Sequence, residues 1–227
     1  FWAPGLARAQ YAEPEQVDDV NVFYDSLSPY GDWVQTEEYG LVWKPIGVAT
    51  DWRPYTYGRW VWTDDHGWYW ASYYEWGWAP FHYGRWAVYP AYGWVWVPGT
   101  VWAPAWVSWR HSDVYIGWYP LWPEFVVVSG VWYPYPAHVH HDHWVFVETQ
   151  HFTSGDQRHH YVAADRASHA YAATTESHEY RGKGAETHLS GPPREHVEKS
   201  GGMKIQPAHL SEAPRPASVS SIKKGGG

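Results

Sequence analysis

The chain has 227 residues, among them 20 Trp, 19 Tyr, 21 Gly and 18 Pro, with one Met and no Cys. The lack of Cys excludes a disulfide scaffold, an iron–sulfur cluster, a cysteine nucleophile and a Cys-based zinc site, and so many aromatics exclude disorder in the Trp-rich part. The net charge is −8, with 5 Lys/Arg against 15 Asp/Glu in residues 10–144, so the aromatic body lacks the basic surface that nucleic acid requires.

In chain order, Ala7-Arg8-Ala9 before Gln10 is an A-x-A pattern. It predicts the tail of a signal peptide cut after Ala9, with the basic n-region upstream of Phe1, and therefore export. Residues 10–21 are read as a linker.

From Tyr30 the chain repeats. Tyr30-Gly-Asp-Trp-Val, Tyr57-Gly-Arg-Trp-Val and Tyr83-Gly-Arg-Trp-Ala align, and their tryptophans Trp33, Trp60 and Trp86 lie 27 and 26 residues apart. Gly40, Gly67 and Gly93 keep that spacing, as do Trp43, Trp70 and Trp96. Three columns in register identify a structural repeat. A fourth, degenerate copy is expected from Trp106 to Pro120. Each copy reads as a β-hairpin: Arg59–Thr63, a turn at Asp64-Asp65-His66-Gly67, then Trp68–Ala71. Aromatic and β-branched residues favour strands, and Asp and Gly accept turn geometry. Period two puts Trp60 and Trp62 on one face, and Trp68 and Trp70 likewise. The connectors repeat as well: Asp51-Trp-Arg-Pro-Tyr55, Gly77-Trp-Ala-Pro-Phe81 and, more loosely, Val101-Trp-Ala-Pro-Ala105. Single hairpins are marginal in water, so these must pair or stack.

The 24 uncharged residues between Arg85 and Arg110 contain three Pro and two Gly. They do not make a membrane helix. An outer-membrane barrel is disfavoured by the short strands. Beyond Trp144 the texture changes. His143–Val147 reads as a strand, Asp165–Tyr180 has weak helical character, and Pro192–Gly202 reads as a short helix bounded by Pro and Gly. Met203–Pro207 is a predicted strand, and the helix–strand piece is expected to dock on the sheet. Residues 211–227 are expected to be disordered.

The motifs Tyr-Gly-x-Trp, Tyr-Gly-Trp-Val-Trp-x-Pro, Trp-Ala-Pro-x-x-Tyr-Gly-Arg-Trp and Trp-Ala-Pro-Ala-Trp-Val-Ser-Trp resemble those of an uncharacterised Trp-rich domain of exported bacterial proteins. The resemblance covers about residues 22–150, and Gly191–Leu210 resembles the later helix–strand piece of that family. It implies an exported, envelope-associated protein and no particular activity.

Two constellations are candidate sites. His138, His140, His141 and His143, with more His downstream, carry imidazoles suited to zinc or copper, although the spacing fits no single zinc pattern. Trp52, Tyr55, Trp76, Trp78 and Trp102 lie in or near the connectors, outside the repeat columns, and are candidates for an exposed aromatic platform. The carboxylate pairs Asp18-Asp19, Glu37-Glu38 and Asp64-Asp65 are read as turn and solvent residues, because neighbours on a strand point opposite ways. Arg59 and Arg85 share a column and are expected to stack on Trp. No nucleophile elbow, metalloprotease motif or phosphate loop occurs.

The sequence thus predicts a mainly β fold: antiparallel hairpin repeats of about 26 residues stacked through Trp and Tyr, over 22–150. A polar, His-containing region with a short helix and strand follows over 151–210. The expected role is that of an exported, non-enzymatic binding or structural protein of the envelope or extracellular space, whose partner is an envelope protein or a polysaccharide. The alternatives are a periplasmic metal-binding protein using the His tract and a glycan-binding module using the aromatic platform.

Overall fold

A computed structural model describes residues 17–123, 126–128, 131–133, 143–155 and 157–210. The signal-peptide reading of residues 1–9, the expected tail 211–227 and three of the four candidate metal ligands, His138, His140 and His141, lie outside the described residues.

After helix α1 (Val22–Leu27), four hairpins follow: β1 (Gly31–Thr36) with β2 (Gly40–Pro45), β3 (Gly58–Thr63) with β4 (Gly67–Ser72), β5 (Arg85–Tyr89) with β6 (Gly93–Val97), and β7 (Val107–His111) with β8 (Tyr115–Pro120). The fourth hairpin lies where the degenerate copy is expected. In each, the two Trp columns are direct cross-strand partners: Trp33 with Trp43, Trp60 with Trp70, Trp86 with Trp96, and Trp109 with Trp118. Such pairs are the unit of sheet stabilisation.

The Gly column closes the turns. Gly40, Gly67 and Gly93 have φ of +70°, +79° and +72°, the left-handed conformation that ends a three-residue hairpin loop. In the first two hairpins a Thr locks the turn. Thr36 Oγ1 donates to the Gly40 carbonyl, and Thr63 Oγ1 to that of Gly67, both at 3.0 Å. A second Gly column explains the Tyr-Gly-x-Trp motif. A Cβ on Gly31 would lie 2.5 Å from the Trp43 ring, and one on Gly58 would lie 2.7 Å from the Trp70 ring. The indole of the second strand rests on the glycine that opens the first.

The hairpins do not assemble in chain order. A bridge between Trp43 and Trp96 joins the first and third into a four-stranded sheet of order β1-β2-β6-β5. The second hairpin is a separate two-stranded sheet whose Trp60 packs on Trp109 of the fourth, with ring centroids 4.5 Å apart, and on Trp118 at 5.6 Å. The connectors fill the centre. Phe81 touches Trp86 of the third hairpin and Trp70 of the second. Tyr55 touches Phe81, Trp60 and Trp70.

The remaining elements are β9 (Val126–Val128), β10 (Val131–Tyr133), β11 (Val145–Glu148), α2 (Ala164–Ala172), β12 (Thr175–Glu176), β13 (Tyr180–Arg181), β14 (His188–Leu189) and α3 (Arg194–Gly201). Strands β11 and β12 flank the fourth hairpin in the order β11-β8-β7-β12. The chain after β14 lies across the second hairpin: Trp68 Nε1 donates to the Pro192 carbonyl at 2.8 Å, and the Ala208 amide to the Trp62 carbonyl at 2.7 Å. Docking of the C-terminal piece is therefore observed, but Met203–Pro207 is not a strand. Helix α3 takes the backbone groups a strand would use: Arg194 Nη2 donates to the Ile205 carbonyl, and the Ile205 amide donates to Glu198. Phe152, Leu189, Val197 and Ile205 share one core with the hairpin tryptophans.

Candidate functional site

The connector residues meet two different fates. Tyr55 is fully buried, and Trp76 is 4 % exposed, so neither offers a face to a ligand. The cause is convergence of the connectors at the centre. Tyr55 Oη donates to the Phe81 carbonyl at 3.0 Å and accepts from the Trp106 amide at 3.2 Å. Its backbone holds φ at +59°, a costly conformation for an aromatic residue, and burial pushes its phenol pKa well up. Trp76 is stacked between Tyr74 and Phe81, at 4.3 and 5.5 Å.

Trp52, Trp78 and Trp102, the Trp of each Trp-x-Pro step, are all half-buried. They do not form one platform, because their ring neighbours differ. Trp52 meets Tyr74, Trp76 and Trp86, Trp78 meets Phe23, and Trp102 meets His66, Tyr69 and His82. His82 lies between Tyr69 and Trp102 with nearly parallel rings, its Nδ1 3.1 Å from the Ala103 carbonyl. Burial drives its pKa down to about 4, so it is neutral at pH 7. The expected Arg–Trp stacking is present at Arg85, whose guanidinium carbon lies 3.5 Å from the centroid of the Trp106 ring. Nη1 of Arg85 also donates to the Gly84 carbonyl at 2.8 Å, and burial lowers the guanidinium pKa to about 10.

Of the four metal candidates only His143 is described. It is exposed, with its ring 6.1 Å from that of Tyr119. Among the described residues no group of three or more His, Cys, Asp or Glu could hold a metal ion. Among the carboxylates, Asp64 accepts from Trp62 Nε1 and pairs with Arg194, while Asp19 accepts from the Asn21 amide before α1.

Of the five platform residues, one borders a cleft. This cleft of about 410 Å³ is walled on one side by Gly47–Ala49, Asp51, Trp52, Arg53, Thr56, Tyr57 and Tyr74. Trp144, Val145, Phe146, Arg158, Tyr161 and Val162 form the other wall. Arg53 Nη1 reaches to 3.5 Å from the Trp144 carbonyl across the cleft. The guanidinium of Arg158 lies 4.8 Å from the Tyr57 ring centroid. Tyr161 Oη donates to the Thr56 carbonyl at 2.7 Å, which ties the two walls together. Burial raises the pKa of the half-buried Tyr74. Aromatic walls with a few convergent polar groups are the usual make-up of a small-ligand site, and the volume is in the usual range. Sequence reasoning found Trp52 but missed Tyr57, read only as part of the hairpin repeat, and Tyr74, which lies in no singled-out motif. It missed Arg158 and Tyr161 because the far wall comes from elements more than 80 residues beyond Trp52 in the chain.

Residues 24–125 match the model of a family of unknown function, DUF6600. The match takes in all four hairpins and the near wall of the cleft. The far wall, β11, β12 and the C-terminal piece lie outside the span that DUF6600 matches. No curated protein and no solved structure matches the chain. Among the described residues no helix is long and apolar enough to cross a membrane.

Proposed function

We propose that this is an exported, non-enzymatic binding protein of the cell envelope or extracellular space, and that the cleft between the first connector and β11 holds its ligand. The observation that carries the binding reading is the cleft itself, where Trp52, Tyr57, Tyr74 and Tyr161 meet Asp51, Arg53 and Arg158 in one cavity. Export is supported by the Ala7-Arg8-Ala9 pattern.

Two measurements test the two halves. Cells producing the protein from its natural gene are fractionated; recovery in the periplasmic, outer-membrane or extracellular fraction is expected, and a cytoplasmic location overturns the export half. The isotope-labelled protein is then screened by NMR against envelope-derived small molecules of several chemical classes. Shifts at Trp52, Tyr57 and Tyr74 are expected for at least one class. Shifts confined to other surfaces overturn the cleft assignment.

A further inference from the structure

The three connectors share one sequence step but not one chemistry. Each has the step Trp-x-Pro: Trp52-Arg53-Pro54, Trp78-Ala79-Pro80 and Trp102-Ala103-Pro104. In the second and third copies the residue after Trp is a fully buried Ala. The residue before Trp78 is Gly77, where a Cβ would lie 2.3 Å from Ser72 Oγ. These flanks are chosen by packing. In the first copy the flanks are Asp51, which is exposed, and Arg53, which is half-buried, and both line the cleft with Trp52 between them. The second and third copies carry uncharged flanks, Gly77 and Ala79, then Val101 and Ala103, so the charges on either side of Trp are particular to the first copy.

We propose that this specialised connector is a saccharide-reading element: one pyranose ring lies against Trp52, and Asp51 and Arg53 bond its hydroxyls. The inference rests on the cleft being the ligand site and names the ligand class. An indole face carries negative potential, while the axial C–H groups of a pyranose carry positive potential, so the two attract as other ring edges and faces do. A carboxylate accepts hydrogen bonds from two hydroxyls, and a guanidinium donates several in a fixed plane. Hydroxyl groups need both, since each is donor and acceptor. Charged ligands fit less well. A phosphate or carboxylate meets Asp51, and a quaternary ammonium meets Arg53 and Arg158. Walls of mixed sign beside an aromatic face suit a neutral polyhydroxyl ligand.

The test is calorimetric and NMR titration of the full chain with neutral oligosaccharides of β1,4- and α1,4-linked hexoses and of N-acetylhexosamines, beside inorganic phosphate and choline. Asp51→Asn and Trp52→Phe are the site variants, and Trp78→Phe, in the equivalent position of the second connector, is the control. The expected result is saccharide binding that weakens at least tenfold in Asp51→Asn and in Trp52→Phe and is unchanged in Trp78→Phe, with all three variants retaining the wild-type circular dichroism. If phosphate or choline shifts the cleft resonances and no saccharide does, the cleft remains the ligand site and the saccharide inference is overturned. If a saccharide binds but neither site variant weakens it, the assignment to Asp51 and Trp52 is overturned. If none of the probes shifts the cleft, both this inference and the cleft reading are overturned.

Discussion

Trp43 and Trp96 are backbone partners on β2 and β6, and through this one bridge the first and third hairpins become a single sheet. The pair lies 53 residues apart in sequence. Around it Trp33 contacts Trp96, and Trp43 contacts Trp86, at 6.3 and 6.4 Å. All four cross-strand tryptophans of the two hairpins therefore belong to one cluster, and the following predictions concern what holds such clusters in place.

The glycine that opens each of the first three hairpins is a steric requirement. Gly58→Ala puts a methyl 2.5 Å from the Ala71 carbonyl oxygen and 2.7 Å from the Trp70 ring. Overpacking of this kind costs about 1–3 kcal/mol. At Gly93 an added Cβ meets nothing within 4 Å, and only the φ of +72° opposes it, a penalty of about 1 kcal/mol. Urea denaturation of the two alanine variants is expected to show the larger loss at Gly58. Equal losses would refute the indole-on-glycine explanation of the motif.

Stability should fall in mild acid through His82. The unfolded imidazole takes up a proton near 6.5, while the folded one does so only near 4 because burial opposes its charge. Between these values the unfolded state binds more protons, so stability is full above pH 6.5 and declines as the pH drops toward 4. The complete effect of such a shift is roughly 3 kcal/mol. His82→Phe keeps the ring between Tyr69 and Trp102 and removes the titration. Its stability should vary less with pH than that of the wild type over this window, as measured by denaturant midpoints at pH 7, 6, 5 and 4.

Arg85 packs as a plane on Trp106, and burial opposes its charge. Arg85→Lys loses the planar stack and keeps a desolvated cation, so it is expected to destabilise by about 1–2 kcal/mol. Arg85→Met removes the charge and leaves a flexible side chain that packs on aromatics. It should cost less than the lysine variant. Thermal unfolding of the pair decides the point, and a more stable lysine variant would show that charge, not shape, is what Trp106 requires.

The segment that matches DUF6600 should not be a sufficient folding unit in this chain. A fragment limited to residues 24–125 lacks β11 and β12, which flank the fourth hairpin, and Phe152, which touches Trp60, Trp68, Trp109 and Trp118. It also lacks the chain that covers Trp62 and Trp68, now 8 % and 2 % exposed. The fragment is expected to bind a hydrophobic dye and to give poorly dispersed NMR spectra, whereas residues 17–210 should unfold cooperatively. A well-dispersed fragment spectrum would refute this.

The hairpins were legible because their signals are local: alternation, a turn glycine and aromatic strands, repeated in register. The fourth copy was legible for the same reason despite its missing Tyr-Gly. Partner choice was not legible, since the bridge from Trp43 to Trp96 leaves no mark in either hairpin. Exposure of the connector aromatics was misjudged at Tyr55 and Trp76 because burial there depends on three connectors converging. Asp51 and Arg53 stood in plain view beside Trp52, but their departure from the uncharged flanks Gly77, Ala79, Val101 and Ala103 acquired meaning only once both were seen to line the cleft. Met203–Pro207 has strand-forming residues but no free strand edge, because the side chains of α3 bond its backbone instead.

The alternating partnership of hairpins, first with third and second with fourth, has a consequence for how such a protein can change over time. An array in which each unit touches only the next can lengthen or shorten by one unit and leave the other contacts as they were. Here, deleting or inserting a single hairpin would reassign the partners of those that follow, and Tyr55 and Phe81 would lie between the wrong sheets. Gain or loss of one copy is therefore strongly disfavoured, and change is left to the loops and connectors, where the first copy has already diverged from its siblings.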